Sequence, residues 1–222
     1  SRTRLVVFDW DGTLMDSTGH IVAAATGAIA QLGFPTRSPE AIRDIIGLGL
    51  RESWQRLFPE LGANDFNPFV EAYRDHFLAP ERQASQLFAR AAEVVETLAG
   101  RGFLLGVATG KSRVGLEREL AATGLVRFMA GTRTADDTRS KPNPDMLLEL
   151  MDEVGARPDE TLMVGDTEWD LEMARRAGVG AIAVSYGAHA AERLHAFAPL
   201  ACLGAIDELL AVLGEPLAPE PR

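Results

Sequence analysis

The chain has 222 residues, 46% of them hydrophobic, and carries a formal charge of −10. So acidic a surface repels nucleic acid and anionic membranes, which removes both as expected partners; a small anionic substrate stays open, because a bound metal ion reverses the local field. The single cysteine, Cys202, excludes an internal disulfide and a thiolate metal cage, and its setting in "PLACLGA" reads as a buried structural thiol.

The first predicted element is "RLVVFD", residues 4–9, a short β-branched run that reads as a strand buried on both faces. It ends on Asp9, and Asp11 follows in the loop "DWDGTL". Residues 15–85 carry only helical patterns: "DSTGHIVAAATGAIAQLG", "SPEAIRDIIG", "RESWQRLF" and "NPFVEAYRDHFL", broken at Gly33-Phe34-Pro35, Gly47 and Pro59. With nine acids, six Arg and no Lys, this stretch reads as a small helical domain inserted after the first strand. Beyond it, helices and strands alternate. The helix "AAEVVETLAGRG" leads to the strand "GFLLGVAT" (102–109), and "SRVGLERELAATG", capped by Ser112, leads to "FMAGT" (128–132). "NPDMLLELMDEVG" opens on Asn143-Pro144, a cap followed by proline in the first turn, and its stripe Met146, Leu147, Leu150 and Met151 reads as core. The strand "TLMVGD" (161–166), the helix "EWDLEMARRAG" closing at Gly178, and the strand "VGAIAVS" (179–185) complete the pattern. Such alternation predicts an α/β fold, a parallel sheet with helices on both faces. The tail "GEPLAPEPR" reads as frayed. No apolar run approaches a membrane span and no signal peptide is visible, so the cytoplasm is the expected compartment.

In open α/β sheets, ligands bind beyond the carboxyl ends of the strands. Asp9, Thr109 and Asp166 each stand at such an end, with Asp11 in the loop after the first. Close carboxylates repel unless a cation or a shared proton compensates. With no His or Cys cluster at hand, oxygen ligands point to Mg²⁺. The basic residues number twenty Arg against two Lys, Lys111 and Lys141, so each lysine marks a place worth weighing. A hard-metal acidic site with Lys141 and Thr109 beside it suits phosphoryl transfer. One carboxylate attacks phosphorus, and the other handles the protons.

These motifs resemble those of the haloacid dehalogenase superfamily in its phosphatase branch. The ordered set comprises "DWDGTL", the strand-end Thr109 of "VATGKS", Lys141 of "SKPNPDML", and "GDTEWD" continued by "LEMARRAG", spread over about 160 residues. The resemblance implies a Rossmann-like core, residues 1–14 and 86–222, with a helical cap domain, residues 15–85. It implies that Asp9 is the nucleophile and a Mg²⁺ ligand, and that Asp11 is the general acid/base with a metal-binding backbone carbonyl. Thr109 and the amide of Gly110 would hold a phosphoryl oxygen, Lys141 would neutralise the transferring group, and Asp166 would bind the metal directly. Asp170 would reach the metal through water or steady the site from behind.

An Asp at position 11 favours phosphate chemistry, since dehalogenating members lack it. The absence of lysine from the cap speaks against the Schiff-base branch that cleaves phosphonates. The implied activity is Mg²⁺-dependent hydrolysis of a small phosphorylated metabolite, with phosphoglycolate as the first expected substrate and a monomer or homodimer as the working unit. Open alternatives are a phosphatase for sugar phosphates or nucleotides, a phosphomutase returning the group to a sugar, and a non-catalytic binding module. Arg51, after the bend "GLGL", has two readings: contact with a second anionic group of the substrate, or a solvent-facing salt bridge. His20, in the first cap helix where phosphoglycolate phosphatases often carry Asp, is a further substrate-contact candidate. Lys111 reads as a basic helix start or a substrate contact, and Trp10 as packing.

Overall fold

The computed structural model describes residues 3–80 and 84–214. The predicted tail beyond Gly214 lies outside the described residues. Strand β1 (Leu5–Phe8) is wholly buried and runs up the middle of the molecule. After it, β2 (Met15–Asp16) leads into four helices: α1 (Thr18–Leu32), α2 (Pro39–Asp44), α3 (Leu50–Leu57) and α4 (Phe66–Phe77). The chain returns through β3 (Gln86–Leu87), which pairs antiparallel with β2, so the helical stretch leaves and re-enters through one two-stranded ribbon. The sequence shows no sign of that ribbon, because two residues per strand carry no periodicity.

The remaining elements alternate as expected. Helix α5 (Ala91–Gly100) precedes β4 (Leu104–Thr109); α6 (Arg113–Thr123) precedes β5 (Met129–Thr134). Then follow α7 (Asp145–Val154), β6 (Thr161–Gly165), α8 (Glu168–Ala177) and β7 (Gly180–Val184). Two caps act as the sequence suggests: Ser112 Oγ accepts from the Gly115 amide, and Gly178 closes α8 in the left-handed conformation. Helix α7 instead starts at Asp145 with Pro144 as its cap, and Asn143 Oδ1 accepts from the Asp145 amide just outside it. A further strand, β8 (Ala201–Leu203), lies between α9 (Ala191–His195) and α10 (Leu209–Leu213). The sequence reading lacks β8, whose three residues include Cys202. That thiol is half-buried at the sheet edge, not enclosed.

The six long-range strands pair in parallel in the order β5-β4-β1-β6-β7-β8. Strand β1 sits between β4 and β6, with Phe8 level with Val107 and Val164. The chain builds outward from β1 in both directions, which leaves a crevice at the carboxyl ends of these three strands. One face of the sheet packs Val6, Phe8 and Val107 against Val94, Leu98 and Leu116 of α5 and α6. The other packs Leu5, Val7 and Met163 against the α7 stripe Met146, Leu147, Leu150 and Met151. The helices α1–α4 close around a core of their own, centred on Ile29, Ile42, Trp54, Phe58 and Phe69. Among the described residues, no helix is long and apolar enough to cross a membrane.

Candidate active site

Asp9 leaves the end of β1 with its carboxylate fully enclosed. Its Oδ1 accepts from the Trp10 amide at 2.7 Å and faces Lys141 Nζ at 2.9 Å. Lys141 lies in the loop before α7, also buried, and its Nζ reaches Asp170 Oδ1 at 2.7 Å. Asp170 belongs to the first turn of α8, where its Oδ2 also accepts from the amide and hydroxyl of Thr167. Asp166, at the end of β6, accepts from Thr13 Oγ1 at 3.0 Å and from the Ala188 amide at 2.7 Å. Gly12 makes room for it. The backbone there has φ +85°, and a Cβ would stand 2.2 Å from Asp166 Oδ2.

Two of these three buried carboxylates, Asp9 and Asp170, share one ammonium, and Asp166 has only neutral donors. Burial, then the charge of Asp170, pushes the Asp166 carboxyl up to about 7. Burial and Asp170 also raise Asp9 well above the usual carboxylate range; the ion pair with Lys141 pulls the other way and is outweighed. For Lys141, burial opposes the charge, but Asp170 and Asp9 overcome it and hold the ammonium above its ordinary range. The cluster retains more negative charge than it can balance.

One oxygen each from Asp9, Asp166 and Asp170 lie within 4.8 Å of one another. No donor among the described residues reaches Asp9 Oδ2, although the atom is buried. An orphaned carboxylate oxygen beside two further acids, with only oxygen donors around it, fits a hard divalent cation. Asp166 and Asp170 already have donors on both oxygens, so among the described residues Asp9 Oδ2 is the oxygen of the three acids left open.

Asp11 stands 8% exposed on the other side of the crevice. Its Oδ1 accepts from Ser17 Oγ at 2.7 Å and from Lys111 Nζ at 3.2 Å. Lys111 Nζ also lies 3.2 Å from Glu119 Oε1 and 4.9 Å from the centre of the Phe77 ring. Burial opposes this ammonium too, but Asp11 and Glu119 raise it above its ordinary range. Trp10, fully buried, donates its indole N–H to Glu119 Oε2 at 2.6 Å. Each lysine of the chain therefore serves one of the two motif acids: Lys141 serves Asp9, and Lys111 serves Asp11. Nothing in the sequence singles out Glu119 of α6, which reaches back to Lys111 in the loop before that helix.

Thr109, at the end of β4, is buried, and its Oγ1 accepts from the Lys111 amide at 3.1 Å. A Cβ on Gly110 would come within 2.4 Å of the Leu48 carbonyl, so only glycine lets the 47–49 loop close over this turn. The same loop is tied down where the Gly49 amide donates to Ser140 Oγ at 2.7 Å. Asp9, Asp11, Thr109, Gly110 and Lys111 all line one cleft, as does Arg51, which is exposed and stacks 4.5 Å over Phe66. His20 is not among the lining residues. Its Nδ1 lies 2.8 Å from Ser85 Oγ, and its ring stacks on Phe77 at 4.2 Å.

A second set of contacts joins the helices to the sheet, and sequence reasoning missed it. The backbone carbonyl of Asp44 accepts from Trp169 Nε1 and from His189 Nε2, each at 3.1 Å. His189 Nδ1 accepts from the Glu168 amide, which fixes the proton on Nε2. Burial, then the charge of Arg193, depresses this imidazole, so it stays neutral. Arg193 in turn bridges Asp44 and Glu168.

The profile of the haloacid dehalogenase-like hydrolases matches residues 6–184. The chain is 33% identical to the IndB protein of Dickeya dadantii, over 93% of this chain and 91% of that one. It is 30% identical to the phosphoglycolate phosphatase of Vibrio parahaemolyticus, over 95% and 96% of the two chains. Identity to the pyrophosphatase PpaX of Halalkalibacterium halodurans is 31%, over 94% and 96%. Among solved structures, a hydrolase from Pseudomonas syringae superposes with a TM-score of 0.86 at 26% identity, covering 95% of this chain and 98% of that one. A profile that spans both strand-end acids, with full-length relatives named as phosphatases, decides the family: the chain belongs to the haloacid dehalogenase-like hydrolases, in their phosphatase branch.

Proposed function

We propose that the chain hydrolyses small phosphomonoesters in two steps on Asp9. The observation that carries this reading is the state of Asp9: fully buried, one oxygen held by Lys141 and the Trp10 amide, the other without a donor, in the same cleft as Asp11 and Thr109. Thr109 Oγ1 and the Gly110 amide hold phosphoryl oxygens, and Lys141 balances their charge. An oxygen of Asp9 bonds to phosphorus while the ester P–O bond breaks, and Asp11 gives its proton to the departing alcohol oxygen. Asp11 then takes a proton from water as the water oxygen bonds to phosphorus. The bond from phosphorus to Asp9 breaks, and inorganic phosphate leaves. Asp9, Asp166 and the Asp11 carbonyl would hold Mg²⁺, which supplies neutralisation of the phosphoryl charge when bound. Asp170 acts from behind, fixing Lys141. Residues 15–85 serve as the cap that reads the alcohol, and Arg51, at the mouth, contacts its polar end. His20, engaged with Ser85 and Phe77, supports the cap and does not contact substrate.

The test is phosphate release from phosphoglycolate and from a generic phosphomonoester, with Mg²⁺ and then with chelator. Asp9→Asn is expected to lose turnover by at least about 10⁴-fold, while circular dichroism stays native. A variant that keeps its activity rules out Asp9 as nucleophile, and equal rates with chelator rule out the metal.

A further inference from the structure

The cleft above the acids is a single cavity of about 740 Å³. Its size lies in the range that encloses a ligand of several rings or a long chain, far beyond a two-carbon acid. Its chemistry changes with depth. Arg51, Arg74 and Arg118 line it and are exposed, which places them at the mouth. Further in, the cap side of the lining is mostly apolar: Ile21, Leu48, Phe69, Val70, Tyr73 and Phe77, with Glu52 and Ser53 as its polar members. Phe69, Tyr73 and Phe77 follow one another a turn apart along α4, with ring centres 6.3 and 5.9 Å apart. This ladder starts at the chemistry itself, since Phe77 covers Lys111, which touches Asp11. Burial, then the charge of Asp11, pushes the Tyr73 hydroxyl above its usual range, so this ring stays neutral.

Among the described residues, a second anionic group on the substrate finds no free cation below the three arginines at the mouth. Lys111 is already shared between Asp11 and Glu119. Pressing a carboxylate or a second phosphate against Phe77 and Val70 removes its hydration and returns nothing. An alkyl chain or ring there is stabilised in proportion to the area it buries.

We propose that the leaving alcohol is extended and largely apolar, so that the substrates are phosphomonoesters of amphiphilic alcohols and not phosphates of short hydroxy acids. This rests on the phosphatase reading above. The experiment is a series of unbranched alkyl phosphates, ethyl to hexyl, assayed with Mg²⁺ beside phosphoglycolate. The alcohols have nearly equal acidity, so the chemistry at phosphorus stays constant while the apolar area grows. The expected kcat/KM rises about two- to fourfold per methylene, and hexyl phosphate exceeds phosphoglycolate by at least about tenfold. A flat or falling series, or a preference for phosphoglycolate, overturns the substrate class and leaves the phosphatase standing. Failure to release phosphate from every ester overturns the phosphatase reading, and this inference with it. Val70→Asp, which puts a charge into the half-buried wall, is expected to flatten the slope. The slope is a ratio within one preparation, so partial unfolding does not imitate the effect; an unchanged slope in this variant also overturns the proposal.

Discussion

At the scale of single residues, the pair Lys141–Asp9 differs from most ion pairs of the chain. Exposed pairs such as Arg157–Asp159 are worth less than about 1 kcal/mol, because water and salt screen them. Lys141 and its two partners are closed to solvent, so removing the ammonium leaves uncompensated buried charge. Lys141→Met is expected to destabilise the metal-free protein by about 3–5 kcal/mol, read from urea denaturation. A loss below about 1 kcal/mol would show that the acids accept protons at little cost. Gly110→Ala tests a steric demand. Its methyl has to displace the Leu48 carbonyl, and a shift of about 1 Å at a phosphate site lowers kcat/KM about a hundredfold. Steady-state kinetics check this, with thermal unfolding as the control for folding. Asp9, Asp11, Thr109 and Lys141 are legible as candidates in the sequence because the ordered motifs that contain them resemble those of a known family, which implies their roles. The tie of Lys111 to Asp11 and Glu119 is not legible that way, since a lysine at a helix start reads equally well as a solvated one.

At the scale of elements, α2 is fastened to the sheet side at its last residue, Asp44. Two kinds of contact share the task. The hydrogen bonds from Trp169 and His189 are largely shielded, while the Arg193 ion pair is about two-fifths exposed on both sides. The shielded bonds therefore dominate. Trp169→Phe is expected to cost about 1 kcal/mol and to raise KM, whereas Arg193→Ala changes stability by less than about 0.5 kcal/mol. Denaturant titrations of both variants decide between them; the reverse ranking would place the fastening on the ion pair. The same scale shows which elements the sequence reveals. Strand β1 is legible because four consecutive residues are apolar and buried. Strands β2, β3 and β8 escape notice because two or three residues hold their place only through a partner strand remote in the chain.

At the scale of the whole molecule, the buried acids behave as one titrating unit beneath the cleft. Asp166 and Asp9 have carboxyls raised by burial, so the folded chain binds their protons more tightly than the unfolded chain does. The contribution of Asp166 to stability is complete below the unfolded value near pH 4 and is lost as pH rises through about 7, and that of Asp9 has the same sign. Mg²⁺ needs the ionised forms and offsets that loss. The rise in melting temperature on adding Mg²⁺ to chelated protein is therefore expected to be larger at pH 8 than at pH 5.5, by roughly 3 °C or more. Equal rises at both values would place the cation away from these acids. The sequence by itself determined the parallel sheet and the strand-end positions of Asp9, Thr109 and Asp166, because apolar periodicity and residue order are local properties of the chain. Only the tertiary structure decided that Lys111 serves Asp11, that Asp9 Oδ2 is left without a donor, that Asp44 is clamped, and that the cleft is mostly apolar within. Those outcomes depend on distances between residues far apart along the chain, which packing sets and spacing does not encode.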